Sequence, residues 1–193
     1  PLAQYLRTYN PTDQLYRKAV ENFMYSCAGY CVATYVMGIG DRHNGNIMIT
    51  QDGHLFHIDF GHFLGNFKQK FGVKRERSAF VFTPEMAYVI GGKNYRTSKF
   101  FTMFQELCIN AFLCLRKHAT ELEIIFTTSV VAGMKELSSL DSVNYLSQRL
   151  CPELPEGEVV DIFKMELKRS LSATSRRIDN YFHLLKHSSK AIQ

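Results

Sequence analysis

The sequence has no tryptophan, and so lacks the side chain that most often anchors a protein at a membrane interface. It also has no Cys-x-x-Cys pair. Its cysteines, Cys27, Cys31, Cys108, Cys114 and Cys151, are odd in number, which argues against a disulfide framework or a thiolate zinc site and points to a reducing cytosol. No apolar run approaches the ~20 residues that a membrane-spanning helix needs. No secretory signal opens the chain, residues 1–10 being mixed and polar. There is no internal repeat and no low-complexity tract. The first residue is Pro rather than Met, which points to a piece of a longer protein. What is present is an ordinary globular composition, 46% hydrophobic and 21% charged over 193 residues, enough for a single domain, 1–193, with a real core.

The net charge of +5 is unevenly spread. Residues 62–80 hold Lys68, Lys70, Lys74, Arg75 and Arg77 against one acid, Glu76, so one segment carries nearly the whole excess. A loop that basic expects an anionic partner. A nucleic-acid platform needs basic residues interleaved with stacking aromatics across a surface, whereas these gather in one loop and one helix; the expectation is no nucleic acid.

The hydrophobic pattern is mainly helical. Asn10-Pro11-Thr12-Asp13 reads as a turn with helix-start chemistry. From Gln14 to about Met37, Leu15, Ala19, Phe23, Cys27, Tyr30, Cys31 and Val36 fit a helix that becomes apolar on more than one face and should be buried. Gly38-Ile39-Gly40 breaks it. Two short strands, 46–50 and 54–58, flank Gln51-Asp52-Gly53, and an Asp-Gly turn between such runs is a hairpin signal. Residues 62–82 show no clean period, and loops of that length are functional or disordered. Thr83-Pro84 starts another helix, ended by Gly91-Gly92. Helices then fit 97–117, 119–133, 139–149 and 156–187, with Ser138, Ser139 or Asp141 as caps for the third and a break near Ala173 in the last. The fold class is α+β, mostly α-helical, with a small β-hairpin near its middle.

The chemistry lies in residues 38–61. Phosphoryl transfer needs a divalent ion held by a few hard oxygen ligands, and a base near the attacking hydroxyl. Asp41 and Asn46 stand five apart, and Asp59-Phe60-Gly61 begins 13 residues after Asn46. That interval suits two strands and a tight turn, so Asp41, Asn46 and Asp59 are expected to converge at one end of a hairpin. His43 stands two positions after Asp41; histidine is a natural proton acceptor, which suits general-base work on a hydroxyl or stabilisation of a γ-phosphate. A capping Asp41 and a packing His43 are the plain alternative, which the joint pattern outweighs.

Asp41-Arg42-His43-x-x-Asn46 followed by His57-Ile58-Asp59-Phe60-Gly61 resembles the phosphoinositide 3-kinase and related kinase superfamily. Ser26-Cys27-Ala28-Gly29-Tyr30-Cys31-Val32-Ala33-Thr34-Tyr35-Val36 is similar to the helix that precedes its catalytic loop. The resemblance is sharpest over 20–93. It implies the C-terminal lobe of a protein-kinase-like fold, with a catalytic loop at 38–48, a metal motif at 59–61, an activation loop at about 59–83 and C-terminal helices over 97–187. It implies ATP and Mg2+ as cofactors, with Asp41 and His43 catalytic, Asn46 and Asp59 holding the metal, and Met48 and Ile58 lining the adenine pocket. Arg42, Phe60 and Gly61 would be structural support. For Met48 and Ile58, simple core packing explains the sequence almost as well.

The two basic clusters, Lys68/Lys70 and Lys74/Arg75/Arg77, look like a class I activation loop, in which they meet the 5- and 4-phosphates of an inositol ring; arginine's fork suits phosphate. The implied reaction is phosphorylation of phosphatidylinositol 4,5-bisphosphate at its 3-hydroxyl. Alternatives are a class II or III enzyme acting on phosphatidylinositol or its 4-phosphate, or a related Ser/Thr protein kinase. Residues 82–92 and the last helix are also similar to class II. A scaffold that had lost catalysis would be expected to lack Asn46 or Asp59, and both are present.

In the last helix Val159, Ile162, Phe163, Leu167, Leu171, Ile178, Phe182 and Leu185 fall on one side, and Lys164, Lys168, Arg169, Arg176, Arg177 and Lys186 largely elsewhere. Such a helix lies on an anionic membrane or caps its own core, the commoner case. The tryptophan often found there in class I relatives is missing. A glycine-rich phosphate loop, a strand lysine and an adenine hinge cannot be assigned, so the fragment alone should bind ATP poorly. Expected partners are phosphoinositide head groups, the rest of the kinase and, as a candidate, a regulatory subunit; the expected location is the cytoplasm with peripheral recruitment to membranes.

Overall fold

The fold was described from a computed structural model. It describes residues 1–40, 42, 44–65, 69–70, 73–74, 79–137 and 139–188, and of residues 44, 69–70, 73–74 and 173–188 the backbone alone. Helix α2 (Asp13–Val36) is the axis on which the rest is built. Thr12 caps it, its hydroxyl accepting from the Leu15 amide at 3.3 Å. Phe23, Met24, Cys27, Ala28, Cys31, Val32, Tyr35 and Val36 are all buried. The apolar positions wrap around the last turns, so the C-terminal end is covered on more than one side, as the sequence implies. Leu15, expected in the core, is instead half exposed. An α-helix turns about 100° per residue, so two i+4 steps back from Phe23 carry Leu15 about 80° off the buried face.

Helix α1 (Leu2–Tyr9) precedes it and has no counterpart in the sequence expectations. Eight residues do not hold a helix alone. Leu6, fully buried against α2 and α3, supplies the tertiary support. Asn10 completes the corner, its amide donating to Leu6 O at 2.9 Å and to Gln51 O at 2.8 Å.

Strands β1 (Ile47–Ile49) and β2 (Leu55–His57) form the expected antiparallel hairpin, with Ile47 opposite His57, Met48 opposite Phe56 and Ile49 opposite Leu55. Alternation sends Leu55 and His57 inward and Met48 outward. The turn glycine is required by shape: Gly53 has φ +97, and a Cβ there would lie 2.1 Å from Ala19 O. Asn22 donates to Asp52 O at 2.9 Å and Ser26 accepts the Leu55 amide at 2.9 Å, so the hairpin is fastened to α2 at both tip and strand. Within the stretch expected to be irregular, a two-residue ladder joins β3 (Gln69–Lys70) to β4 (Val73–Lys74).

Thr83 caps α3 (Pro84–Gly91), with Pro84 in its first turn. Then come α4 (Lys99–Lys117), α5 (Ala119–Val131), α6 (Asp141–Leu150) and α7 (Glu156–Ser188), all close to the sequence boundaries. Ser139 accepts the Asp141 amide at 3.2 Å; Ser138 lies outside the described residues. The break expected near Ala173 is absent: the α7 backbone is continuous. Rings from four parts of the chain close the core. Tyr35 meets Phe112, Phe163 and Phe80 edge-on at 5.5, 5.2 and 6.2 Å, and Phe82 stacks on Phe104 at 4.6 Å. Val159, Phe163 and Leu167 bury the apolar stripe of α7, so its first half caps the core; the side chains of Ile178, Phe182 and Leu185 lie outside the described residues. Among the described residues no helix is long and apolar enough to cross a membrane.

One buried hydroxyl ties α7 to the segment entering α3. Ser170 accepts the Phe82 amide at 2.8 Å and donates to Phe80 O at 2.8 Å. Ser170→Ala leaves a buried N–H and a buried carbonyl without that partner, so a loss of about 1–3 kcal/mol in denaturant unfolding is expected, whereas Ser172→Ala, on the exposed side, should change stability by less than about 0.5 kcal/mol.

Candidate active site

Three stretches meet at the open end of the β1–β2 hairpin. The first is the loop after α2, the second the 3-10 turn Asn44–Asn46 that leads into β1, and the third residues 58–65 after β2. Backbone hydrogen bonds weld them. Ile58 N donates to Asn46 O at 3.0 Å, Gly40 N to His62 O at 2.8 Å and Leu64 N to Met37 O at 2.7 Å. Asn46 and Asp59 therefore sit at the same end of the hairpin, one just before β1 and the other two residues after β2. Asn46 is buried and Asp59 exposed.

Arg42 is the centre of this joint. Its Nε donates to Gly40 O at 2.7 Å, Nη1 to Ile58 O at 2.8 Å and Nη2 to Asp59 O. Its guanidinium also lies 5.8 Å from the Phe60 ring centroid. A planar fork of fixed geometry reaches three carbonyls on two separate loops, which a lysine's single nitrogen cannot do. Asp59 has φ +60, a left-handed backbone that costs a non-glycine residue about 1 kcal/mol or more. The Arg42 bond to its carbonyl and the Gly61 amide, 3.4 Å from Asp59 Oδ1, hold it there.

The outer face of the hairpin is apolar and open. Met48 is 44% exposed, Ile58 40% and Phe60 45%. Core packing, the plain alternative for Met48 and Ile58, is thereby overturned: strand alternation turns Met48 away from the core, and Ile58 lies beyond the last inward residue. The inner face is closed by His57, which is 5% exposed and stacked on Tyr30 with centroids 4.8 Å apart. Its Nδ1 is buried without a hydrogen-bond partner. Burial, and secondarily the Arg42 charge, lower its pKa from the usual 6.5 to about 4.

An Asn amide oxygen and an Asp carboxylate are hard donors of the kind Mg2+ takes, and this ion uses few protein ligands. Among the described residues no cluster of three His, Cys, Asp or Glu exists to hold a metal. Asp41 and His43 lie outside the described residues, as do Lys68, Arg75 and Arg77. Lys70 and Lys74 are placed by backbone alone, in β3 and β4. Of the expected site residues the structure thus brings together Arg42, Asn46, Met48, Ile58, Asp59, Phe60 and Gly61. Ser26, Tyr30 and His57, which seat the hairpin, were not singled out for that task; a Ser and a Tyr on the helix face that meets a turn carry no distinctive sequence signal.

The family model described as phosphatidylinositol 3- and 4-kinase matches residues 1–139. The chain is 47% identical over 188 residues to phosphatidylinositol 3-kinase 1 of Dictyostelium discoideum, covering 97% of this chain and 12% of that protein. It is 43% identical over 192 residues to phosphatidylinositol 3-kinase 3 of the same organism, covering 100% and 11%. It is 43% identical over 185 residues to the human phosphatidylinositol 4-phosphate 3-kinase C2 domain-containing subunit beta, covering 96% and 11%. The chain spans roughly a tenth of the length of the curated relatives it matches.

Two outcomes are expected. Arg42→Lys keeps the charge and loses the fork; it should lower stability by about 1–2 kcal/mol, discounted for partial exposure, and quicken amide exchange at Ile58 relative to helix α4. His57 has a folded pKa below its unfolded one, so the unfolded chain takes up the proton first as pH falls. Its contribution is complete above about 6.5 and is lost as pH drops toward about 4. His57→Phe, which keeps the stack on Tyr30, should lose less stability than the parent between pH 7 and 5 in denaturant titrations.

Proposed function

The chain belongs to the phosphatidylinositol 3- and 4-kinase family, and from that premise we propose that it forms the catalytic half of an ATP-dependent lipid kinase acting on the inositol 3-hydroxyl, with phosphatidylinositol 4,5-bisphosphate as the favoured acceptor. The observation that carries this reading is the Arg42 fork, which ties the residue between Asp41 and His43 in the sequence to Gly40 and to the Ile58–Asp59 backbone. Phosphoryl transfer is positioning plus charge stabilisation, and this joint supplies the positioning.

The roles follow from that joint. Asp41 and His43 receive the proton of the attacking hydroxyl or face the γ-phosphate. Asn46 and Asp59 hold Mg2+, which when bound neutralises charge on the phosphates. Met48 and Ile58 offer an apolar floor to adenine, their exposure suiting a pocket roofed by the other lobe of the kinase. Lys68 and Lys70 meet the 5-phosphate, and Lys74, Arg75 and Arg77 the 4-phosphate. Arg42, Phe60 and Gly61 keep Asp59 in its left-handed pose. The protein works in the cytoplasm, recruited peripherally to phosphoinositide head groups, with a regulatory subunit as a candidate partner. A second reading has phosphatidylinositol 4-phosphate as acceptor; what favours it is the human relative whose name carries that substrate.

The test is product analysis with the full-length kinase on vesicles of phosphatidylinositol, its 4-phosphate and its 4,5-bisphosphate. The expected main product is the 3,4,5-trisphosphate. Replacing Lys68 and Lys70 by Ala should reduce turnover of the bisphosphate roughly tenfold or more, each lost phosphate contact being a charge-assisted one, while turnover of phosphatidylinositol changes little. Equal losses on all three lipids count against the loop as the reader of the 5-phosphate. A product formed only from the 4-phosphate moves the reading to the second acceptor.

A further inference from the structure

Helix α6 lies more than 80 residues downstream of the Asp59 motif, yet one of its side chains touches both loops of the candidate active site. The Tyr145 ring packs where Gly38 opens the loop that carries Arg42. A Cβ built on Gly38 would lie 2.3 Å from Tyr145 Cε1 and 2.5 Å from its Cζ and hydroxyl oxygen. The same ring meets Gly65, the residue after Leu64 in the tight turn beyond Asp59. A Cβ there would lie 3.3 Å from Tyr145 Cδ2. Both glycines have positive φ, +53 and +86, and Leu64 between His62 and Gly65 has φ +48 although it is not glycine. A flat ring thus occupies the space left by two missing side chains, beside two left-handed turns.

The position of that ring is itself fixed. Arg149, one turn along α6, donates from Nε to the Tyr145 hydroxyl at 2.9 Å and lies 5.1 Å from the Tyr35 ring centroid at the end of α2. Leu146 and Leu150 of α6 are fully buried in the core. Arg116 of α4 donates to Cys151 O, Pro152 O and Leu154 O and so anchors the C-terminal end of α6. The hydrogen bonds that join the two loops, Gly40 N to His62 O and Leu64 N to Met37 O, lie next to the contact.

The geometry points to Tyr145 as a positioning residue for phosphoryl transfer, its ring setting the spacing between the Gly38–Gly40 loop and the Asp59–Gly65 segment, with Arg149 holding the ring in place. The contacts of Tyr145 that carry this role are with Gly38 and Gly65. It acts through Gly38 and Gly65, and the ring rather than the hydroxyl is the working part. This inference rests on the kinase reading for its catalytic consequence, but its structural content stands apart from it.

The experiment uses the full-length kinase. Tyr145→Ala is expected to lower kcat on phosphoinositide vesicles roughly 10- to 100-fold, because loss of alignment acts on the reacting geometry, while the KM for ATP moves less than about threefold. Tyr145→Phe keeps the ring and should restore most of the rate. Amide exchange gives an activity-free measure: in Tyr145→Ala the Gly40 and Leu64 amides should exchange about tenfold faster or more, with Cys108 in α4 unchanged. Should alanine prevent folding, Tyr145→Leu keeps apolar bulk without a flat ring, and both readouts apply to it. Parent-like kcat together with parent-like exchange at Gly40 and Leu64 in a folded variant overturns the inference. A parent enzyme that phosphorylates no lipid refutes the proposed function instead, and the exchange comparison then decides this inference alone.

Discussion

Two lengths of irregular backbone, around residues 37–40 and 58–65, must lie side by side, and neither has a ladder long enough to do it. A two- or three-bond contact between loops is weak in water because each bond replaces one to solvent. The Arg42 fork changes the balance. One planar cation satisfies three carbonyls at once, and charged donors make stronger bonds than neutral ones. Everything distal follows: the left-handed Asp59, the turn at Leu64–Gly65, and the approach of Asn46 to Ile58 across the hairpin. The strain at Asp59 persists because its neighbours over-determine it, which is where strained backbone is tolerated.

The hairpin is held by a different principle. It is only three residue pairs long, and a free ribbon of that size is not stable. Its stability is borrowed from α2, through Gly53 against the Ala19 carbonyl, Asn22 on the tip, Ser26 on the Leu55 amide and the His57–Tyr30 stack. An orphaned Nδ1 on His57 is a cost that flat stacking and burial of Leu55 beside it offset. The hairpin is thus an extension of the helix, and the Asp59–Gly61 backbone that follows it is held by the same fastening.

What could be read from the chain alone follows the range of each signal. The Asp52-Gly53 turn, the Thr83-Pro84 helix start and the period of α2 and α4 are local patterns, and all of them stand in the structure. Helix α1 and the β3–β4 ladder escaped notice because they are short enough that only tertiary contact makes them regular. Leu15 was misplaced because an i+4 repeat drifts around a helix by about 40° per step. In the candidate site, Asn46 and Asp59 were legible from spacing, since a hairpin length fixes where its two ends meet. Tyr145 was not, because its task depends on Gly38 and Gly65, and nothing in one helix announces a gap left by glycines about 80 and 107 positions away.

The same contrast explains why half a site can be well built. Inward, the hairpin rests on Tyr30 and the α2 core and is complete. Outward, Met48, Ile58 and Phe60 keep apolar side chains at 40–45% exposure beside the joined loops. Single exposed apolar residues are ordinary, but three that lie close to the left-handed Asp59 and the Arg42 guanidinium form a surface that gains by being covered. Among the described residues the joint between the two loops is thus made within this chain, by the Arg42 fork, while its apolar neighbours stay open to solvent.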